Sequence, residues 1–263
     1  MRTLRLIREA RIHSLLPAGT PHRLEASGVV AADGRYRVIF DNLRAVAVID
    51  TDLDRPAANT LVPTEPGRAS GYEDIARDPI TGHLFLLIEA EKRDNGLQAR
   101  VEEYDEALQF VSAGWLEYPL THANKGMEGL EIVRRNDGVY LLGLHESGGL
   151  LVFRRGRQNW KHVATAELPV RLADYSAVST AGTRIALVSQ ESSAMWVGAF
   201  ATDTWQAAGP GDTYLFPRGR GGELLYRTAE GVCWLGPERV VVVSDRGKPG
   251  GEAKEEMLHV FAL

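Results

Sequence analysis

The chain has 263 residues, 30 basic against 35 acidic side chains, 44% hydrophobic residues and one cysteine. That length suits one large all-β or α/β domain with a substantial core, and the 25% charged fraction excludes a disordered chain. A formal charge of −5 with scattered arginines speaks against a nucleic-acid surface, and the longest aliphatic run, Val240–Val243, is too short to cross a membrane as a helix.

The N-terminal segment Met1–Glu9 has no apolar signal region. Cys233 alone can form no internal disulfide. Both point to a cytoplasmic protein. A strand around Thr3–Ile12 has nothing local to pair with.

Five similar segments then follow along the chain: Ala26-Ser-Gly-Val-Val, Tyr72-Glu-Asp-Ile-Ala, Met127-Glu-Gly-Leu-Glu, Tyr175-Ser-Ala-Val-Ser and Ala229-Glu-Gly-Val-Cys. Their shared column is Ser27, Glu73, Glu128, Ser176 and Glu230, at intervals of 46, 55, 48 and 54 residues. Such spacing belongs to propeller blades. Each segment leads through a turn, such as Asp33-Gly34 or Asn136-Asp137-Gly138, into a β-rich run. These runs are Arg37–Asn42, Phe85–Ala90, Leu141–Glu146, Ala186–Glu191 and Val241–Arg246. Third strands are expected at Ala45–Asp50, Ala99–Tyr104, Leu150–Arg154, Met195–Phe200 and Met257–Leu263. The best fourth strands are Phe110–Trp115 and Trp160–Ala166. No long 3.6-residue apolar period occurs, so helices should be few.

The fifth unit lacks a fourth strand, and the N-terminus holds a spare one. The sequence therefore predicts an all-β fold: a single five-bladed β-propeller over 1–263, with the N-terminal strand closing the last blade. Ring closure removes exposed sheet edges. A β-sandwich of similar hairpins is the alternative, but it gives no reason for a fivefold register.

In a blade, the start of the first strand and the end of the second lie at one mouth of the channel. The shared column converges there, beside a second column of Asp41, Glu89, His145, Gln190 and Asp245, flanked by Asn42, Glu146 and Glu191. Like charges ~4 Å apart at an effective dielectric of ~20 repel by about 4 kcal/mol per pair. Three glutamates must therefore take up protons or share a cation. Three carboxylates and two hydroxyls suit a hard ion, Ca²⁺ before Mg²⁺ or Mn²⁺, whereas zinc would call for cysteine and histidine. Ser27, Glu73, Glu128, Ser176 and Glu230 are the candidate ligands. Singly, each reads as a capping or surface residue.

The order Ser, Glu, Glu, Ser, Glu at the inner-strand starts resembles the calcium-activated nucleotidases of the apyrase type, five-bladed propellers with a central Ca²⁺. Glu230-Gly-Val-Cys-Trp-Leu and Tyr175-Ser-Ala-Val-Ser resemble segments of that family. A looser likeness extends to phytase-like and SdiA-regulated-type bacterial propellers. The resemblance implies the same five metal ligands. Two departures stand out: Asp41-Asn42-Leu43 replaces an Asp-Asp-Arg, and His145-Glu146-Ser147 replaces an arginine pair. Arginines there would clamp phosphate oxygens bidentately, so nucleotide turnover should be weak.

Glu89, Asp245 and His145 are the candidate bases, with Ca²⁺ as Lewis acid on a small anionic or ester substrate. A hydrogen-bonded strand-end histidine is the plainer reading of His145. Cationic loop residues Arg44, Arg68, Lys92, Arg93, Lys125, Arg171, Arg246 and Lys248 could hold an anionic substrate, though each alone reads as a solvated charge. The sequence thus supports a cation-binding propeller, either a metal-dependent hydrolase or a binding scaffold with a structural ion. Cys233 reads as a small buried hydrophobe.

Overall fold

Asp33 and Gly34 both take positive φ, 53° and 71°, the geometry of a two-residue turn whose twist matches its flanking strands. Hairpins of this kind build nearly the whole chain. A computed structural model describes residues 2–64, 71–93, 96–122, 125–201, 204–247 and 254–263. Strands β1 (Arg2–Thr3) and β2 (Arg5–Arg11) precede a single-turn helix, α1 (Ile12–Leu15). The first run is β3 (Ala26–Ala32), β4 (Arg35–Phe40), β5 (Leu43–Asp50) and β6 (Thr60–Pro63). The second is β7 (Tyr72–Arg77), β8 (Leu84–Arg93), β9 (Gly96–Tyr104) and β10 (Phe110–Glu117). The third is β11 (Met127–Arg135), β12 (Gly138–His145), β13 (Leu150–Arg155) and β14 (Trp160–Ala166). Then come β15 (Ala177–Ala181), β16 (Arg184–Ser189), β17 (Ala194–Ala199) and β18 (Asp212–Leu215). The chain ends in β19 (Ala229–Trp234), β20 (Arg239–Ser244) and β21 (Met257–Ala262).

These strands form four hydrogen-bonded sheets. The largest has eight strands, because the second and third runs are joined by a short parallel pairing of β10 with β14. The first strands of successive runs, β3, β7, β11, β15 and β19, pack side by side, and β19 returns to β3. Buried apolar clusters fill the space between consecutive runs. Val30, Ile39 and Val46 meet Ile75, Leu84 and Leu86, while Val38 and Phe40 meet Val241, Val243 and Leu258 across the seam where the chain closes. No described helix is long and apolar enough to cross a membrane.

The N-terminal strand does pair with the last one: β2 lies antiparallel to β21, Arg5 opposite Ala262 and Arg11 opposite Met257. The expected single strand over Thr3–Ile12 is in fact two. Leu4 turns inward, 2% exposed, and splits off β1, which runs parallel to β18. The N-terminus thereby straps the fourth and fifth runs together. Behind this strap, Glu9 Oε2 lies 3.3 Å from His259 Nδ1, and His259 Nε2 lies 3.2 Å from Ser244 Oγ. His259 is wholly buried, and burial pulls its imidazole down to about 4, so it is neutral. Ser244 is wholly buried as well and donates to the Lys254 carbonyl, so this Ser-His-Glu chain links β20, β21 and β2 and offers no accessible nucleophile.

Candidate metal centre

The side chains of the shared column are aimed by irregularities in pairing. In β3, Ala26 faces Phe40 but Gly28 faces Ile39, leaving Ser27 as an extra residue. The same shift occurs at Glu128, between Met127 and Gly129, and at Glu230, between Ala229 and Gly231. In β7 it falls between Tyr72 and Ile75, around Glu73. A bulge bends its strand and re-aims one side chain, which is why these residues leave the alternating pattern of their sheets. Ser176 differs. It sits just before β15, where its N–H donates to the Val188 carbonyl at 2.9 Å.

Glycine beside the bulge allows the inner strands to approach closely. A Cβ on Gly231 would stand 2.6 Å from Val243 Cγ2 and 2.8 Å from Gly28 Cα, and one on Gly28 would stand 2.8 Å from Ile75 N. Backbone cannot give way there. Gly231→Ala should cost about 1–3 kcal/mol through overpacking and lower the melting temperature by several degrees. A melt identical to the parent would disprove the tight waist.

The carboxylates are electrostatic neighbours. Glu73 is held well above the usual carboxylate range, chiefly by burial and then by Glu128, Asp41, Glu89 and Glu230. Burial, with Glu89 and Glu146 next, pushes Glu128 up to about 8. Glu230 is also well above its ordinary value, from burial, Asp245 and Glu128. Among the described residues, none of the three accepts a hydrogen bond or pairs with a cation. The hydroxyls of Ser27 and Ser176 donate outward, to the carbonyls of Tyr72 and, at 2.9 Å, Ala229. Each serine thus ties its strand to the next and keeps oxygen lone pairs free. The donor set is oxygen throughout, which fits a hard cation. As the side chains stand, no group of three His, Cys, Asp or Glu among the described residues is gathered tightly enough to hold an ion.

The second column is placed unevenly. Glu89 lies within β8, and burial with Asp41 and Glu146 pushes it up to about 7. Asp245, just beyond β20, is pushed up to about 6 by burial, against the N–H of Arg246. Asp41 is raised by partial desolvation, and Gln190 and Glu191 follow the end of β16. His145 closes β12, with Nδ1 2.8 Å from Ser147 Oγ, and burial lowers its pKa. Its charged neighbours are Glu146 and Lys125.

Sequence reasoning passed over Asp174, which accepts from Ser189 Oγ and, at 3.1 Å, from Glu191 N–H, and which acts on both Glu128 and Glu230. It also passed over Asp74 and Glu131. Asp74 accepts from Ile75 N at 2.8 Å and Leu130 N at 2.7 Å; Glu131 accepts from Ile132 N at 3.0 Å and Thr180 N at 2.7 Å. Both staple adjacent inner strands.

Of the cationic candidates, Arg44 is committed. One guanidinium nitrogen, Nη2, donates to both carboxylate oxygens of Glu102, at 2.9 and 2.8 Å, and the group lies over the Tyr72 ring. Arg93 covers Trp115, and Lys125 Nζ lies 3.9 Å from Glu146. Lys92, Arg171 and Arg246 are exposed. Arg68 and Lys248 lie outside the described residues.

No family model and no curated protein matches the chain. Solved structures do. The chain is similar to glutaminyl cyclase of Myxococcus xanthus at 14% identity and a TM-score of 0.60, covering 99% of this chain and 97% of that one. It is similar to a PQQ-bound aldose sugar dehydrogenase of Streptomyces coelicolor at 13% identity and a TM-score of 0.54, covering 99% and 98%. It is also similar to a calcium-binding protein, regucalcin, of Agrobacterium tumefaciens at 11% identity and a TM-score of 0.50, covering 90% of each. At such identities the likeness is one of fold, and the fold is propeller-type.

Proposed function

We propose that this chain is a single-domain, five-bladed propeller whose acidic mouth binds a divalent cation, Ca²⁺ ahead of Mg²⁺ or Mn²⁺. The eight-stranded sheet counts as two blades in this reading, since its halves are separate antiparallel meanders joined only by β10 and β14. The observation that carries the cation is that Glu73, Glu128 and Glu230 lie within electrostatic reach of one another and, among the described residues, have no counter-charge. Glu73, Glu128 and Glu230, with Ser27 and Ser176, would hold the ion. Once bound, it would supply Lewis acidity toward a phosphoryl or ester oxygen. Glu89, Asp245 and His145 then stand as the groups to accept a proton from water. Arg44 is taken by Glu102, so it does not serve to neutralise a polyphosphate. A phosphoester or lactone suits such a mouth better than a nucleotide.

A scaffold with a purely structural ion is the second reading. The serine hydroxyls and the Asp74 and Glu131 staples favour it, because they tie blade to blade.

Calorimetric titration of chelator-treated protein with CaCl₂ should show one site, and at 100 times the dissociation constant the ion should add about 2.7 kcal/mol of stability. No binding of Ca²⁺, Mg²⁺ or Mn²⁺ would end the cation reading. A panel of phosphoanhydride, phosphoester and lactone substrates then separates the two alternatives. Metal-dependent turnover lost in a Glu89→Gln, Asp245→Asn double variant supports the hydrolase; binding without turnover supports the scaffold.

A further inference from the structure

Below the glycine waist, at the opposite end from the carboxylate mouth, the channel widens into a cavity of about 250 Å³ lined by residues of all five inner strands. Val29, Val178 and Val232 form apolar walls. Glu131 lines the same space, both its oxygens bonded to backbone N–H groups and no cation paired with it among the described residues. Ser179 and Cys233 line the same cavity. Arg77 lines it too, but its guanidinium is engaged by Glu106 at 2.9 Å and Asp33 at 3.5 Å.

Among the described residues that line the cavity, the one cation, Arg77, is already paired, which disfavours an anion. A wholly apolar guest would leave the spare lone pairs of the Glu131 carboxylate unused, since a carboxylate accepts about four hydrogen bonds. We propose that this lower cavity binds a small aliphatic ammonium ion, its charged head at Glu131 and Ser179 and its hydrocarbon tail among Val29, Val178 and Val232. The site is separate from the acidic mouth and does not depend on a cation there.

The test uses the full chain at pH 8, where Glu131, pushed up to about 7 by burial, is largely ionised and an alkylammonium keeps its proton. Calorimetry with n-butylammonium chloride is compared with n-butanol, sodium butyrate and ammonium chloride. Butylammonium should bind at least roughly tenfold more tightly than the other three, a difference of about 1.4 kcal/mol. Glu131→Gln should erase the preference for butylammonium over butanol. Because Glu131 also staples β11 to β15, that variant can fail to fold; Val29→Leu, which fills the cavity and keeps the carboxylate, should then weaken butylammonium binding by itself. No binding, or equal binding of butanol, would each overturn the assignment. Added CaCl₂ should leave the affinity unchanged, so failure here is distinct from failure at the mouth.

Discussion

Removing residues 1–14 should leave a protein that aggregates or unfolds without a cooperative transition. The deletion takes out β1 and β2 and exposes the outer edge of β21, whose partner residues run from Arg5 to Arg11. It removes Leu4 and Ile12, buried at 2% and 0% exposure, worth about 1.5–3 kcal/mol each. It also strips Glu9 from the buried His259. A total stability of about 5–15 kcal/mol leaves little margin for such losses. The milder Glu9→Ala should unfold cooperatively with a melting temperature lowered by several degrees, as expected for about 1–3 kcal/mol lost when a buried group forfeits its partner. A truncated protein that melts like the parent would show that the ring closes without its strap. The strap has a pH signature of its own. The folded-state pKa of His259, about 4, lies below its unfolded value near 6.5. Its contribution is present above pH 6.5 and is lost as the pH falls towards 4.

The parts of this structure that could be read from sequence are those carried by periodicity. The columns headed by Ser27 and by Asp41 recur because each run repeats one meander, and turn residues such as Asp33-Gly34 mark the reversals. The third strands lie within three residues of expectation, since Leu150–Arg155 and Met257–Ala262 are dense in strand-forming side chains. The outermost strands β6 and β18 are four residues each and carry no alternation, so they left no signal. The bulges were hidden too, because an extra residue changes where a side chain points without changing composition. Glycine after Ser27, Glu128 and Glu230 was the available sign, since only a close backbone approach needs it. Arg44 illustrates another limit. Its partner Glu102 is 58 residues away in the chain, so proximity to the mouth in sequence suggested a free cation where the fold supplies a buried ion pair.

Between pH 7 and 9 the chelator-treated protein should lose stability, and saturating Ca²⁺ should remove the part of that slope that comes from the mouth. His259 is neutral in both folded and unfolded states over most of this window, while Asp74 and Glu131, also raised by burial but not among the candidate ligands, add a loss that Ca²⁺ leaves unchanged. The folded-state pKa of Glu128, about 8, lies above its unfolded value near 4.5. A carboxyl raised in this way favours folding while protonated, most fully below pH 4.5. The contribution disappears as the pH climbs through 8, when an uncompensated charge must be carried inside. Glu73 and Glu230 are shifted in the same direction and steepen the loss. Glu128→Gln keeps the shape and removes the ionisation. Without metal it should stabilise the protein at pH 9 by a few kcal/mol and flatten the slope. With Ca²⁺ present the sign inverts, because the wild-type carboxylate is now a ligand and the variant has lost it. Thermal melts of both proteins at pH 7 and 9, with chelator and with CaCl₂, decide between a proton and a cation as the partner of these three glutamates. A variant less stable than wild type in chelator at pH 9 would show that the carboxylates already have a partner. Melts that ignore Ca²⁺ in both proteins would leave protons as the only counter-charge the mouth takes up.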